Sequence, residues 1–497
     1  MGMAWIDFLK DIKDQFSEKT ALVDQEKNRN LTYQQLVEEV DRLAWFLKEH
    51  NVEQGDRVTY LRTNSLEHIT LFLACAKIGA IFIPLNFRLS CGELSEITHR
   101  VTPKLRVGMG QDELKTEDYP YCDLSEINLN DYEQPFVTVE TSEEDPLLML
   151  FTSGTTGTPK GVLFSGKMLR TNQEATCENW GLASEDKTLV ETPFFHTGGY
   201  NVLCLPLMSI GGTSVIAEKF DLDNVYETIE KEKLTVYFAV PTMFQMISED
   251  PRFKDTSFSS LRFFISGGAH CPKELISTYQ KKNLMFKQGF GLTEVGPNCF
   301  LLDESDAIRK LGSIGKPMPH SKVRLIDDHG GDVAPGEVGE LLIGGDHVCA
   351  GYFNEKKRFE EATKDGLFKT GDLAKKDEDG FYFIVGRKKD MYISGGENVY
   401  PAEVEKKIRA LETVHEVAVV AVEDEKWGEV GFAFLRADRE FDVIQLKELL
   451  NDQLSRYKHP HYIENIKEFP LLSSGKIDRK ALQAKAAASV STPSTSR

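Results

Sequence analysis

The sequence predicts an α/β protein with a large N-terminal domain of two α/β layers plus a β-rich subdomain, and a small α+β C-terminal domain. Three observations carry that prediction. The chain has 497 residues, well beyond the roughly 250–300 at which one hydrophobic core stops growing. From Leu31 onward, helical periodicity alternates with short β-rich runs. From Ser313 to Tyr382 the texture changes to short strands punctuated by Gly and Pro, as in Asp328-His-Gly-Gly and Pro335-Gly-Glu.

In chain order, the first layer opens with the stripe Tyr33, Leu36, Val37, Val40, Leu43 and Leu47, followed by strands at Val58–Leu61 and Ala80–Pro84. The longest apolar run, Ile69 to Leu85, is interrupted by Lys77, Gly79 and Pro84. It reads as a buried helix followed by a strand and is too short for a membrane span. Strands at Thr213–Ala217, Val236–Val240 and Phe263–Ser266 define a second layer. The charged run Gly386-Arg-Lys-Lys-Asp390 marks the boundary, giving an N-terminal domain 1–386, a hinge 387–390 and a C-terminal domain 391–486. That last domain reads helix (Ala402–Leu411), strand (Val417–Val422), strand (Gly431–Leu435), helix (Val443–Leu454), strand (Tyr462–Phe469). The Ala-, Ser- and Thr-rich tail 487–497 is predicted to be disordered.

Composition excludes several function classes. A formal charge of −19 argues against sequence-independent binding to nucleic acid or anionic lipid, which rests on clustered Lys and Arg. The eight cysteines form no CxxC pair or zinc spacing and read as reduced thiols of a cytoplasmic protein. The first residues lack a basic segment followed by an apolar one, so no signal peptide is predicted.

The most informative run is Phe151-Thr152-Ser153-Gly154-Thr155-Thr156-Gly157-Thr-Pro-Lys160-Gly, which leaves the end of the apolar stretch Pro146-Leu-Leu-Met-Leu. Glycines let the backbone approach a bulky anion, hydroxyls donate to phosphate oxygens, and Lys160 adds a point charge. By composition alone this is a surface turn; the ordered motif is more specific. Beside it, Gly161 to Lys167 has the spacing of a P-loop, but Met168 stands where a magnesium-binding hydroxyl belongs. A P-loop kinase is therefore a poor reading.

The loop Ser-Gly-Thr-Thr-Gly-x-Pro-Lys-Gly resembles the signature of the adenylate-forming superfamily, and further motifs follow in that family's order from about Ala21 to Leu482. Ser165-Gly166 departs from the common aromatic-or-Ser and His. The resemblance implies an ATP-dependent acid:CoA ligase that forms an acyl-adenylate and then a thioester, with ATP, Mg2+ and CoA as cofactor and co-substrates. It implies an acyl-pocket mouth at Pro193-Phe-Phe195-His196-Thr-Gly-Gly, and backbone contact to adenine and acyl group at Gly267, Gly268 and Ala269. Gln288, Gly289, Phe290 and Gly291 would carry adenine, with Phe290 replacing the usual Tyr. Thr293 would touch the α-phosphate; Glu294 and Thr156 would hold magnesium. Asp372 and Arg387 would bind ribose, Gly395 and Gly396 would flank the pantetheine tunnel, and Lys476 in Ser-Ser-Gly-Lys476 would be the catalytic lysine. Arg88 and Trp427 fall where relatives engage CoA. Tyr200, Asn201, Val240, Thr242 and Val295 are candidate acyl-pocket residues. Singly, each of these has an ordinary structural reading: His196 as a satisfied histidine, Asp372 as a turn residue, Arg387 as a solvated charge.

The Gly395-Gly396-Glu and Trp427-Gly-Glu motifs resemble fatty acyl-CoA synthetases, so a fatty acid is the expected substrate, with an aryl acid as alternative. Transfer to a carrier protein or other acceptor, and an inactive binding protein on the same fold, are the rivals. Peripheral membrane contact is compatible with the sequence, and the oligomeric state is left open.

Overall fold

The computed structural model describes residues 4–110, 114, 118–132, 134–152, 159–269, 271–395, 397–451, 453–472 and 476–491. The chain forms two compact units, Met1–Val323 with Leu342–Phe368, and Arg324–Leu341 with Lys369–Arg497. The sequence-based boundary at 387–390 lies inside the second of these.

The first unit is layered as expected. Its largest sheet has seven strands in the order Gly351–Tyr352, Lys160–Ser165, Pro146–Thr152, Ile81–Leu85, Arg57–Leu61, Leu105–Gly108, Tyr121–Asp123. Pairing is parallel from Pro146–Thr152 to the last strand and antiparallel among the first three. Helix Leu66–Ile78 is buried along nearly its whole length, which is why the apolar run there shows no amphipathic period. Helix Tyr33–Glu49 starts at a capping box, in which the Thr32 hydroxyl and the Gln35 side chain satisfy each other's backbone N–H groups. Its buried residues Leu36, Val37, Val40, Leu43 and Leu47 follow the predicted stripe.

A four-stranded sheet, Arg29–Thr32, Thr20–Asp24, Thr213–Ile216, Lys187–Val190, and a parallel three-stranded sheet, Val236–Ala239, Phe263–Ser266, Phe286–Gln288, complete the layering. Leu189 and Val215 of one share a core with Tyr237, Phe264 and Phe286 of the other, filled in by Phe244 and Tyr279 from helices Pro241–Glu249 and Lys273–Gln280.

In the second unit Asp372 to Lys376 pair antiparallel with Tyr382–Arg387. The C-terminal sheet is built on the long pair Val414–Asp424 and Gly428–Ala437, with Tyr462–Asn465 parallel to the latter. Alternation along Val414–Asp424 sends Val417 and Val419 to one core with Val404, Ile408, Leu446 and Leu450, and Ala418, Val420 and Val422 to another with Leu482 and Ala486.

Three local expectations change. The last strand ends at Asn465 instead of Phe469, since its pairing stops at Leu435↔Asn465. Helix Val443–Leu450 is one turn shorter than read. Helix Arg479–Ser491 continues through five residues assigned to a disordered tail, because Ala favours helix and Leu482 and Ala486 anchor it to the sheet; residues 492–497 lie outside the described set. Among the described residues no helix is long and apolar enough to cross a membrane.

Candidate functional site

In the first unit the two strands flanking the glycine- and hydroxyl-rich loop are tied antiparallel, with Thr152 opposite Lys160. Ser153, Gly154, Thr155, Thr156 and Gly157 lie outside the described residues. At the exit, Arg100 donates to the Pro159 carbonyl and pairs with Glu355, which Arg358 also holds at 2.6 Å. The Lys160 ammonium donates to Tyr352 Oη at 3.3 Å and sits 4.6 Å from the centre of that ring. The Tyr352 hydroxyl in turn donates to Glu294 Oε1 at 3.0 Å. Desolvation holds Lys160 below the ordinary lysine pKa, with Glu294 opposing. Lys160 and Glu294 are thus joined through a residue that carries no recognisable motif.

The P-loop decoy is resolved by geometry. Lys160–Ser165 is a strand, Gly166 opens helix Gly166–Trp180 under the Ser165 cap, and Lys167 pairs with Glu144 and Asp346 at the surface. A Cβ at Gly166 would come within 3.0 Å of Trp5, a packing reason for the absence of a larger residue there.

The segment Gln288–Glu294 follows strand Phe286–Gln288, and the Gly289 N–H donates to Ser266 O at 2.7 Å, setting it beside Gly267. Among the described residues Gln288 Oε1 is buried without a hydrogen-bond partner, an acceptor that an incoming N–H can satisfy. The Phe290 ring is half-buried, edge-on to Phe300 at 5.6 Å. Gly291 is required: a Cβ there would lie 2.3 Å from the Gly296 and Pro297 backbone, across the bridge by which Leu292 N–H reaches Gly296 O. Thr293 and Glu294 are half-buried on that bridge.

At the expected acyl mouth, Phe195 packs edge-on to Phe87 at 5.5 Å, with the Arg88 guanidinium 5.9 Å from the Phe195 ring. His196 is half-buried beside Phe195 at 4.5 Å and precedes helix Thr197–Asn201. Val240 lies next to Gly268, and the Phe238 ring spans from Gly198 to Gly267. Phe238 was missed by motif reading; the alternation in Val236–Ala239, which puts Tyr237 on the opposite, fully buried face, is the signal that could have found it. Tyr200 and Val295 point into the core. The Tyr200 ring packs on Phe194 and its hydroxyl donates to His68 O at 3.3 Å, while the Val295 carbonyl accepts from His347. Asn201 is buried, its amide donating to Thr197 Oγ1 and its carbonyl accepting from Asn172 and Asn298. Thr242 is exposed.

In the second unit, Asp372 stands opposite Arg387 in register, and Arg387 Nε reaches Asp372 Oδ1 at 2.7 Å. Arg387 also donates to Thr370 O, and Thr370 Oγ1 accepts from the Asp372 N–H. The Leu472 N–H donates to Lys476 O at 2.8 Å, and residues 473–475 between them lie outside the described residues. Desolvation around the Lys476 ammonium and the nearby Arg387 charge lower its pKa, while Asp372 raises it. Asp372, Arg387 and Lys476 are therefore neighbours. Lys388 pairs with Glu340 and Asp328, and Lys389 lies on the same short turn, Lys388–Asp390. Gly395 has φ +61°, its N–H donates to Trp427 O at 2.8 Å, and a Cβ there would fall 2.7 Å from the Trp427 ring; Gly396 is outside the described residues.

Among the described residues no group of three or more His, Cys, Asp or Glu side chains converges to hold a metal. Mg2+ takes one or two carboxylates and completes its octahedron with water and substrate phosphate oxygens, a demand that the half-buried Glu294 carboxylate has the chemistry to meet.

Comparisons with known proteins point the same way. The AMP-binding enzyme family matches residues 9–353, and the AMP-binding enzyme C-terminal domain matches residues 403–476. A feruloyl-CoA synthase of Amycolatopsis sp is 38% identical over 458 residues, covering 90% of this chain and 92% of that protein. A long-chain-fatty-acid–CoA ligase of Mycobacterium tuberculosis is 33% identical over 484 residues, covering 95% and 96%. The o-succinylbenzoate CoA synthetase of Bacillus subtilis, solved with its acyl-adenylate intermediate, superposes with a TM-score of 0.88 at 28% identity over 96% of this chain and 97% of that one. Its complex with ATP and magnesium ion superposes at 0.86 with 27% identity, covering 96% and 99%.

Proposed function

The chain belongs to the AMP-binding enzyme family, and from that premise we infer that it is an ATP-dependent, AMP-forming acid:CoA ligase. Its cofactor and co-substrates are ATP, Mg2+ and CoA. The observation that carries the reading is the pairing of Lys160 with Glu294 through Tyr352 beside the hydroxyl-rich loop.

Adenylation joins two anions, a carboxylate and the α-phosphate, so the catalyst must suppress repulsion and stabilise charge on departing pyrophosphate. Lys160 and the loop N–H groups hold the β- and γ-phosphates, Thr293 holds the α-phosphate, and Gln288 and Phe290 take the adenine. Asp372 accepts from the ribose hydroxyls, with Arg387 holding its carboxylate. Lys476 bridges the acid and the α-phosphate; its lowered pKa reflects a partly desolvated ammonium, whose charge acts more strongly there than in water. Magnesium, held by Glu294 and Thr156, would neutralise triphosphate charge. No protein nucleophile is needed, and positioning does most of the work. For the thioester step the C-terminal domain turns about Lys389 to bring Gly395 and Gly396 to the carbonyl, with Trp427 and Arg88 toward CoA.

The substrate is an uncharged-tail carboxylic acid. An aryl-substituted acid comes first, ahead of the fatty acid suggested by the glycine motif, because the feruloyl-CoA synthase shares more of the sequence than the fatty-acid ligase and the mouth is lined by Phe195, Phe238 and Val240. The reaction is placed in the cytoplasm, where ATP and CoA are both supplied. CoA-dependent AMP release across arylpropenoic, arylacetic, benzoic and fatty acids tests this. An optimum among the aryl acids is expected; an optimum along the fatty series would reverse the substrate assignment, and AMP release indifferent to CoA would replace the acceptor.

A further inference from the structure

We propose that Tyr352 is a positioning residue of the adenylation step, a neutral spacer that keeps Lys160 and Glu294 apart and aims each at its own part of magnesium-bound ATP. The proposal rests on the ligase reading, which gives those two residues their roles.

Lys160 and Glu294 carry opposite charges and attract each other. Left to close on one another they would form an ion pair, and both would be spent: the ammonium would no longer face phosphate and the carboxylate would no longer face a cation. The Tyr352 hydroxyl stands between them, accepting from Lys160 Nζ at 3.3 Å and donating to Glu294 Oε1 at 3.0 Å. The direction is forced. An ammonium only donates and a carboxylate only accepts, so one hydroxyl with one proton satisfies both in a single way.

The sheet explains why the hydroxyl is there. Tyr352 lies opposite Val162, two residues from Lys160 on the same strand and hence on the same face, so its ring meets the lysine diagonally across the pair. The ring is 4% exposed and backed edge-on by Phe359 at 5.5 Å. A carboxylate with one oxygen tied by a fixed donor presents the other in a set direction, as groups behind a metal ligand commonly arrange. The ammonium over the ring face gives Lys160 a second hold that needs no opposing charge.

The test is calorimetric titration of the full-length protein with MgATP and, separately, with AMP, which lacks the pyrophosphate and the metal. Tyr352→Phe keeps the ring and removes the hydroxyl; we expect MgATP affinity to fall about 10-fold or more, with AMP affinity and the thermal midpoint at wild-type values. Tyr352→Leu, which also loses the ring, should weaken MgATP further and still spare AMP. MgATP binding within about two-fold of wild type in Tyr352→Phe would overturn the proposal. So would equal weakening of MgATP and AMP, which is what a merely structural ring would produce. Failure of the wild-type protein to bind MgATP would instead overturn the ligase reading itself, and this proposal with it.

Discussion

Replacing Gly291 by alanine offers the most direct test of the adenine-binding segment. The new Cβ would stand 2.3 Å from the Gly296 oxygen and from the Pro297 carbonyl carbon and oxygen, whereas ordinary contact begins at 3.4 Å. The obstacle is backbone on every side, so no side chain can swing away, and the segment must shift by about 1 Å. Phe290 and Glu294, proposed above to cover adenine and to face the metal, lie on either side of the shifted residue. A displacement of that size from the reacting geometry costs about 100-fold, or about 2.7 kcal/mol of barrier. ATP–pyrophosphate exchange with a competent acid measures it. Gly55→Ala is the control: Gly55 has a φ of +81°, so its replacement is strained, but among the described residues a Cβ there meets nothing within 4 Å. Exchange by Gly291→Ala within about two-fold of the Gly55 variant would refute the idea that this segment must keep its present path.

Other consequences can be checked independently. Lys476→Ala should abolish acyl-adenylate formation and leave thioester formation from a preformed adenylate and CoA largely intact, as followed by rapid quench; equal loss of both half-reactions would contradict the division of labour. Glu191 is buried, with Tyr237 donating at 2.6 Å and the Asp221 N–H at 3.4 Å, and burial pushes its carboxyl up to about 8 from an ordinary 4.5. Its folded pKa is raised, so the native state binds the extra proton and the contribution to stability, full below about pH 4.5, is lost as pH rises through 8. Chemical denaturation should then show a component falling by about 1.4 kcal/mol per pH unit across that window, which Glu191→Gln removes; a variant with the wild-type slope would show that the carboxyl titrates normally.

What the sequence disclosed depended on how far apart the interacting groups lie. The phosphate loop, the Thr293–Glu294 pair and the Lys476 motif are local runs, and their chemistry is written in adjacent letters. The layers of the first unit were equally legible, since alternation of helical stripes and apolar strands directly reflects burial on a parallel sheet. Tyr352 was not, because it meets Lys160 across 192 residues through sheet register, and Gly-Tyr-Phe-Asn has no chemistry of its own to read. Arg387 and Asp372 were each named, yet their mutual contact follows only from the antiparallel pairing that sets them opposite. Tyr200 and Val295 were named for the acyl pocket from their neighbourhood along the chain, and their burial became visible only with helix Thr197–Asn201 and the bridge Leu292↔Gly296. The final helix was overlooked for a different reason: small residues in a tail look like disorder until a sheet face supplies something for Leu482 and Ala486 to cover.

The strand pair around the loop also carries a lesson about how such a sequence can change. Because Thr152 faces Lys160 and Tyr352 faces Val162, the lysine's aim is a matter of parity. Residues added between Thr152 and Lys160 lengthen only the connection, and the ladder resumes where it left off. A single residue added between Lys160 and Val162 would turn the ammonium to the opposite side of the sheet, away from Tyr352. Drift and engineering thus have freedom in the length of this loop and almost none in the three letters that follow it, so homologous loops of different lengths should still end on the same count from lysine to the first paired valine.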